Sequence, residues 1–272
     1  MHKSLTVVIP VLNQLHYTQQ CVQSLLAGGV DAADILVIDN ASTDGTAAWL
    51  AGQPGLRTLS NRVNLGCGGA WAQGAFHADS EWVVLLNNDV LVPPRGLQDL
   101  IEAGAREGLG VVSPGLMEGT LDYDFSAWAP RFTQEMRGVV RKGWFHGVCF
   151  AVKRSVFEAV GFPDTDRQLG GHEDKEFLVR CLRHGVPVGT VGDSVLHHFG
   201  SITQKALKQD SRQASLGDRH HAYRRMGMGW WERKRFKSQQ RGQTAAWSKA
   251  EQSGHQGMTL HMLREGNGWR PL

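Results

Sequence analysis

Three uninterrupted apolar runs, each closing on short polar side chains, limit most strongly what this chain can fold into. LTVVIPVL (residues 5–12) runs into Asn13. ADILVIDN (33–40) closes on Asp39-Asn40, and EWVVLLNND (81–89) closes on Asn87-Asn88-Asp89. A weaker run, LRTLSN (56–61), and a further one, LGVVSPGLM (109–117), complete the set. Short runs rich in Val, Ile and Leu with no polar alternation are strands covered on both faces. The segments between them read as helices. Tyr17, Cys21, Val22, Leu25 and Leu26 fall near helical spacing before Gly28-Gly29. STDG supplies a cap and turn before AAWLAG, and Pro94 opens PRGLQDLIEAGARE (94–107). This alternation predicts an α/β fold: a mostly parallel sheet with helices on both faces. Ligands in such sheets sit beyond the carboxyl ends of the strands. Pro10 to Asn13, Asp39-Asn40 and Asn87-Asn88-Asp89 are therefore expected along one edge.

Past residue 118 the pattern changes. Residues 120–146 are aromatic and basic, GVCFAVKRSVFEAVG (147–161) reads as a strand turning into a helix, and GGHEDKEFLVRCLRHG (170–185) as a loop and a helix. VPVGTVGDSVLHHFGS (186–201) is strand-like and ends in His197-His198. Beyond 204 the chain is polar, basic and Trp-bearing, with helical spans expected and the Gln-, Ser-, Gly- and Lys-rich stretch 237–257 expected to be mobile. Charge divides at the same place. Residues 1–200 carry 15 Lys and Arg against 21 Asp and Glu, whereas residues 201–250 carry 12 against 3. An acidic body with a basic extension is the expectation. Cys21, Cys67, Cys149 and Cys181 form no CxxC pair, which favours a reduced, cytoplasmic setting. The opening apolar run is too short for a signal peptide, and no run approaches the roughly 20 residues of a membrane span.

Five polar constellations bear on chemistry. Asp89 at a strand end could hold Mg²⁺ or Mn²⁺, with Asn87 and Asn88 as neutral partners; an ordinary Asn/Asp turn is the plain alternative. Asp39 is left over once Ser42, Thr43 or Asp44 has capped the following helix, so it is free for a ribose or base. Asn64-Leu-Gly66-Cys-Gly68-Gly69 permits close backbone approach without matching a phosphate-loop pattern; a packing loop is its alternative. His172-Glu173-Asp174 opens a helix after two glycines, which suits either simple capping or a general base. His197 and His198 could complete a metal site begun by Asp89, or merely end a strand. No nucleophile elbow and no HExxH motif occurs.

Taken in order, VVIPVLNQ, VIDNASTDGT, NLGCGGA, LLNNDV, GVCFAVKR, GHEDKEF and VLHHFGS resemble the family-two glycosyltransferases of GT-A fold over residues 5–201, most closely the bacterial rhamnosyltransferase-like branch. The resemblance implies a domain over 1–203, with 1–118 binding the nucleotide sugar and 119–203 the acceptor, followed by a mainly helical basic extension over 204–272. It implies that Pro10 and Asn13 lie beside the base and ribose, that Asp39 binds the base, and that Asn64 and Gly66 line the donor pocket. Asn87-Asn88-Asp89 takes the place of the DxD motif with Asp89 as metal ligand. Asp174 is the implied catalytic base with Glu173 beside it, and His197, rivalled by His198, the histidine of the metal site. The activity implied is inverting transfer of a sugar from a UDP-, dTDP- or GDP-linked donor, dependent on Mn²⁺ or Mg²⁺, to a glycan or lipid-linked acceptor in polysaccharide or glycoconjugate synthesis. Asn87 in place of the first DxD aspartate, Trp71-Ala72 after the glycines and Glu176 after Lys175 depart from the pattern.

YRRMGMGWWERKRFK (223–237) interleaves cations and aromatics. One reading is a solvated helix that packs one edge on the body. A second is peripheral contact with anionic lipid at the inner membrane face. A third, ranked last, stacks its aromatics on nucleic acid, which would suit a glycosyltransferase-like nucleotide- or nucleic-acid-binding protein.

Overall fold

The β-branched runs become the strands of one sheet. The computed structural model describes residues 4–200, 202, 219–266 and 268–272. Strands β1 (Leu5–Val11), β2 (Ile35–Asp39), β3 (Arg57–Ser60) and β4 (Trp82–Leu86) alternate with helices α1 (Leu15–Ala27), α2 (Thr46–Ala51) and α3 (Gly66–His77). Then come β5 (Val90–Leu91), α4 (Gly96–Arg106), β6 (Val111–Glu118), α5 (Phe125–Glu135), β7 (Val140–Lys142) and β8 (Cys149–Lys153). Helices α6 (Arg154–Val160) and α7 (Glu173–Arg183) lead to the long β9 (Val188–His198). After residue 218 follow α8 (Arg219–Arg225), α9 (Trp230–Gly254), β10 (His261–Glu265) and β11 (Gly268–Pro271).

The main path of the sheet runs β11-β10-β6-β8-β4-β1-β2-β3. β1 lies between β4 and β2, parallel to both, and β8 enters antiparallel between β4 and β6. The uninterrupted apolar runs follow from burial on both faces. Val7 and Ile9 pack with Cys21, Val22 and Leu25 of α1 and with Leu97 and Leu100 of α4. Val8, between them, points the other way into Ala70 and Trp71 of α3 and Phe177 of α7. Each fully buried Val or Leu side chain contributes roughly 1.5–3 kcal/mol. Pro10 sits inside this central strand because β1 pairs with β4 only as far as Val8↔Leu85, so its missing N–H falls beyond that ladder.

Two expectations about the extension change. Residues 237–257 fall mainly within the 25-residue α9 instead of a mobile stretch. Residues 230–254 lack proline and are rich in Ala, Gln, Lys and Arg, all good helix formers. The extension is mainly helical, yet it does not stay so. β10 pairs parallel with β6, and β11 returns antiparallel on β10, so the chain ends as part of the main sheet. Arg141 and Glu251 fasten this return: two N–H···O bonds of 2.7 Å join buried side chains, and Leu260 N–H donates to Glu251 Oε2 at 2.9 Å.

Candidate active site

The carboxyl ends of β1, β2 and β4 lie side by side, with Val11 opposite Asp39. Asp39 is buried, and its Oδ1 accepts from the Ser42 N–H at 2.9 Å. Asn13, in a left-handed conformation (φ 56°), spends its side-chain oxygen on the N–H groups of Thr43 (2.7 Å) and Asp44 (3.3 Å). Its immediate work is thus to hold the loop after β2. Asp44 accepts from Thr46 N–H at 3.0 Å just before α2, but the helix is flanked by Gly45 with no side-chain cap, so the expected cap from Ser42, Thr43 or Asp44 does not form and Asp39 itself holds the turn at Ser42. Asn40 was missed. Its buried amide donates to Gly66 O at 3.0 Å and accepts from Asn61 Nδ2 at 3.0 Å, tying β2 to the glycine loop. Its one signal was its place directly after Asp39.

The glycine loop brings the donor side against the helix that carries the candidate base. Asn64 Oδ1 accepts from Gly66 N–H at 2.8 Å, and Gly66 has φ +78°. A Cβ on Gly68 would lie 2.2 Å from Asp164 O and 3.1 Å from Glu173 Cγ, so only glycine allows α3 to start there. The turn containing Asp164 is braced from the extension. Arg225 of α8 bonds Asp164 at 2.6 Å, and His221 bonds Asp166 at 2.6 Å. Burial pushes the thiol of Cys67 in this loop up, and the negative charges of Glu173, Asp174 and Asp89 push it the same way.

Glu173 and Asp174 open α7 but differ in surroundings. Glu173 is buried and turns back to accept the Gly171 N–H at 2.8 Å. Asp174 is only partly buried and lies against Gly147, where a Cβ would come within 2.7 Å of its carboxyl. Burial raises the affinity of both carboxyls for a proton, and for Asp174 backbone N–H groups and the nearby Lys175 and His172 oppose that shift. Asp174 is therefore the carboxylate with an open side and a raised pKa.

The edge that carries Asp89 is assembled by β5. Val90 pairs with His198, so Asp89, one residue earlier, meets the end of β9. His198 Nε2 stands 3.4 Å from Asp89 Oδ1, and Asp89 Oδ2 accepts from Ile202 N–H at 3.0 Å. Burial works against the charge on Asp89, but His198 and the Ile202 N–H outweigh it and hold the carboxyl below its ordinary range. For His198, burial is likewise overcome by Asp89 and Glu118, and its pKa rises to about 9. Successive residues of a strand face opposite sides, and His197 accordingly points away. Its Nδ1 lies 2.9 Å from Tyr123 Oη, its ring packs on Phe199 and Phe125, and burial lowers its pKa to about 4. Of the two histidines the structure brings His198, not His197, to Asp89. Asn88 also turns inward, donating to Thr18 Oγ1 of α1 at 2.9 Å, whereas Asn87 stays half-buried at the edge. Among the described residues no three His, Cys, Asp or Glu side chains form a ready-made metal cage. A carboxylate oxygen and an imidazole nitrogen facing one point do fit a hard divalent ion that takes its other ligands from phosphate.

Known proteins share the family and the fold. The profile of the family described as Glycosyl transferase family 2 matches residues 6–161. An N-acetylglucosaminyl-diphospho-decaprenol L-rhamnosyltransferase of Mycobacterium tuberculosis is 26% identical over 275 aligned positions, covering 83% of this chain and 89% of the relative. Among solved structures, a mannosyltransferase from Pyrobaculum calidifontis in complex with GDP-Man and Mn²⁺ superposes with a TM-score of 0.55 at 23% identity. It covers 73% of this chain, which spans 57% of its length. Staphylococcus aureus TarS 1-349 in complex with UDP superposes with a TM-score of 0.56 at 15% identity, over 71% of this chain and 60% of that one. At these identities the two structures speak to the fold alone.

Proposed function

The chain belongs to glycosyl transferase family 2 and is a glycosyltransferase of glycoconjugate synthesis, and from that premise we propose that it is inverting, metal-dependent and supplied by a nucleoside-diphosphate sugar. The observation that carries this reading is the meeting of Asp89 and His198 at the carboxyl edge of the sheet, with Asp174 at the start of α7 against Gly147 and Glu173 packed on the glycine loop at Gly68. Asp39, Asn64, Gly66 and Asn87 line the donor side, with Pro10 and Asn13 shaping its floor. Residues 1–118 bind the donor and 119–203 receive the acceptor, while the extension braces both through α8, Glu251 and β10.

Asp89 and His198 would hold the Mn²⁺ or Mg²⁺. Such an ion supplies positive charge against the diphosphate as it leaves. Asp174 accepts the proton of the acceptor hydroxyl while that oxygen attacks the anomeric carbon. The bond from that carbon to the phosphate oxygen breaks, and its electron pair leaves with the nucleoside diphosphate. A single displacement inverts the anomeric centre. Glu173, bonded to Gly171, fixes the first turn of α7 and leaves the proton transfer to Asp174.

The mycobacterial relative is named for a decaprenol-linked acceptor, and we read a lipid-linked sugar as the acceptor class here. The exposed start of α9 supports peripheral contact with a cytoplasmic membrane face. Trp230 and Trp231 are 51% and 75% exposed, and Lys234 Nζ lies 4.1 Å from the Trp230 ring centroid. No helix among the described residues is long and apolar enough to cross a membrane. The nucleic-acid alternative gains no support from the family match. The test is turnover of UDP-, dTDP- and GDP-sugars with and without Mn²⁺, in wild type, Asp89→Ala and Asp174→Asn. Mn²⁺-dependent turnover lost in both variants supports the reading. Full turnover in EDTA, or in Asp174→Asn, overturns it.

A further inference from the structure

The donor atoms at the metal edge are the start of a longer line of polar side chains. From Asp89 Oδ1 the line passes to His198 Nε2 at 3.4 Å. From His198 Nδ1 it continues to Glu118 Oε1 at 2.8 Å, and from Glu118 Oε2 to His261 Nε2 at 2.7 Å. Its last two members come from parts of the fold that lie outside the candidate site. Glu118 ends β6, and His261 begins β10, the returning strand that pairs with β6 at His261↔Leu116 and Leu263↔Glu118.

We propose that His261 is a positioning residue for the metal edge, acting through Glu118 on His198. This rests on the reading of Asp89 and His198 as the metal ligands. A carboxylate bonded to Nδ1 keeps the proton there and presents the Nε2 lone pair outward, which orients the ring and makes it a better ligand. Glu118 can do this only while its own carboxyl is held. It stands at a strand end with 21% of its side chain exposed, so one oxygen on His198 alone leaves it free to swing. The bond from His261 fixes the second oxygen. His261 is in turn fixed by its backbone: Leu116 N–H donates to Leu260 O at 2.8 Å, and Leu272 N–H donates to His261 O at 2.9 Å. The returning hairpin therefore sets the angle at which His198 meets the cation. A plain clamp between β6 and β10 would use the same bond, but its loss would lower stability without touching the metal.

The test is the affinity of the whole chain for Mn²⁺ alone, measured by EPR of the free ion, beside the melting temperature of each variant. His261→Ala and Glu118→Gln are expected to weaken Mn²⁺ binding about 10-fold or more, as outer-shell partners of a metal histidine do. His261→Gln, whose amide still donates to Glu118, is expected to recover most of that loss. Asp89→Ala is expected to abolish uptake. If Asp89→Ala abolishes uptake while His261→Ala and Glu118→Gln bind within about twofold of wild type, far short of that outer-shell effect, the positioning role is overturned and the metal reading stands. If wild type takes up no Mn²⁺, or Asp89→Ala binds it normally, the metal reading fails and this inference with it. Should His261→Ala not fold, Glu118→Gln decides alone by the same criterion.

Discussion

At the scale of single residues, the base is the sharpest point of the reading. Asp174→Asn keeps the shape of the side chain and removes its capacity to take a proton, so kcat should fall about 10²- to 10⁴-fold with little change in melting temperature. Burial raises the Asp174 pKa, and only the ionised form serves as base. The rate in wild type should therefore rise with pH through a midpoint above the ordinary aspartate value of about 3.9. A pH–rate profile of kcat/KM that is flat from pH 4 upward would contradict this assignment. The positions of Asp39, Asp89 and Asp174 were legible in the sequence because each follows a strand end or opens a helix. The roles of Asn13, Asn88 and the two histidines were not. Each depends on which way a side chain turns at the end of a strand, and there one residue of register exchanges the site for the core. Asn40 escaped notice because its value lies in bridging to Asn61 and Gly66, contacts between loops far apart in the chain.

At the scale of elements, the closeness of α3 to β1 decides how firmly the donor half is built. A Cβ on Gly74 would come 2.2 Å from Val8 Cγ1. Gly74→Ala improves helix propensity yet should destabilise the fold by about 1–3 kcal/mol, the usual cost of overpacking, read as a lower urea midpoint. A gain in stability would show that α3 can slide outward freely. The parallel strands and their helices were legible because burial on both faces leaves a continuous apolar run. The returning hairpin was not. HMLREGNGWRP alternates poorly and carries two arginines and a glutamate, since β10 and β11 lie at the sheet edge with half-exposed side chains. α9 was hidden for the same reason in helical form: it is largely solvent-facing, and Glu251 is its only buried residue.

At the scale of the whole molecule, charge and shape meet at the start of α9, where the acidic body gives way to the basic extension. Exposed paired tryptophans beside cations suit the interface of an anionic bilayer, where an aromatic ring and a positive charge are each favoured. Wild type should sediment with phosphatidylglycerol-containing vesicles at low salt, and Trp230→Ala/Trp231→Ala should not. Equal binding to neutral vesicles or to single-stranded DNA would reassign the surface. The division of the chain into an acidic body and basic extension was legible from charge alone. The structural dependence of the body on that extension was not, because it rests on the pairing of β10 with β6, on one buried Arg141–Glu251 pair and on α8 bracing the turn at 164–166.

The pairing of β5 with β9 has a kinetic consequence. Asp89 and His198 are joined by that short ladder, and His198 is held as well by the parallel pairing of β9 with β6; the partners lie far apart along the chain, and contacts of that kind form late because a long loop must close first. On refolding, uptake of a paramagnetic ion should lag behind the recovery of helical circular dichroism, so that the cation reports the moment at which the last strands lock.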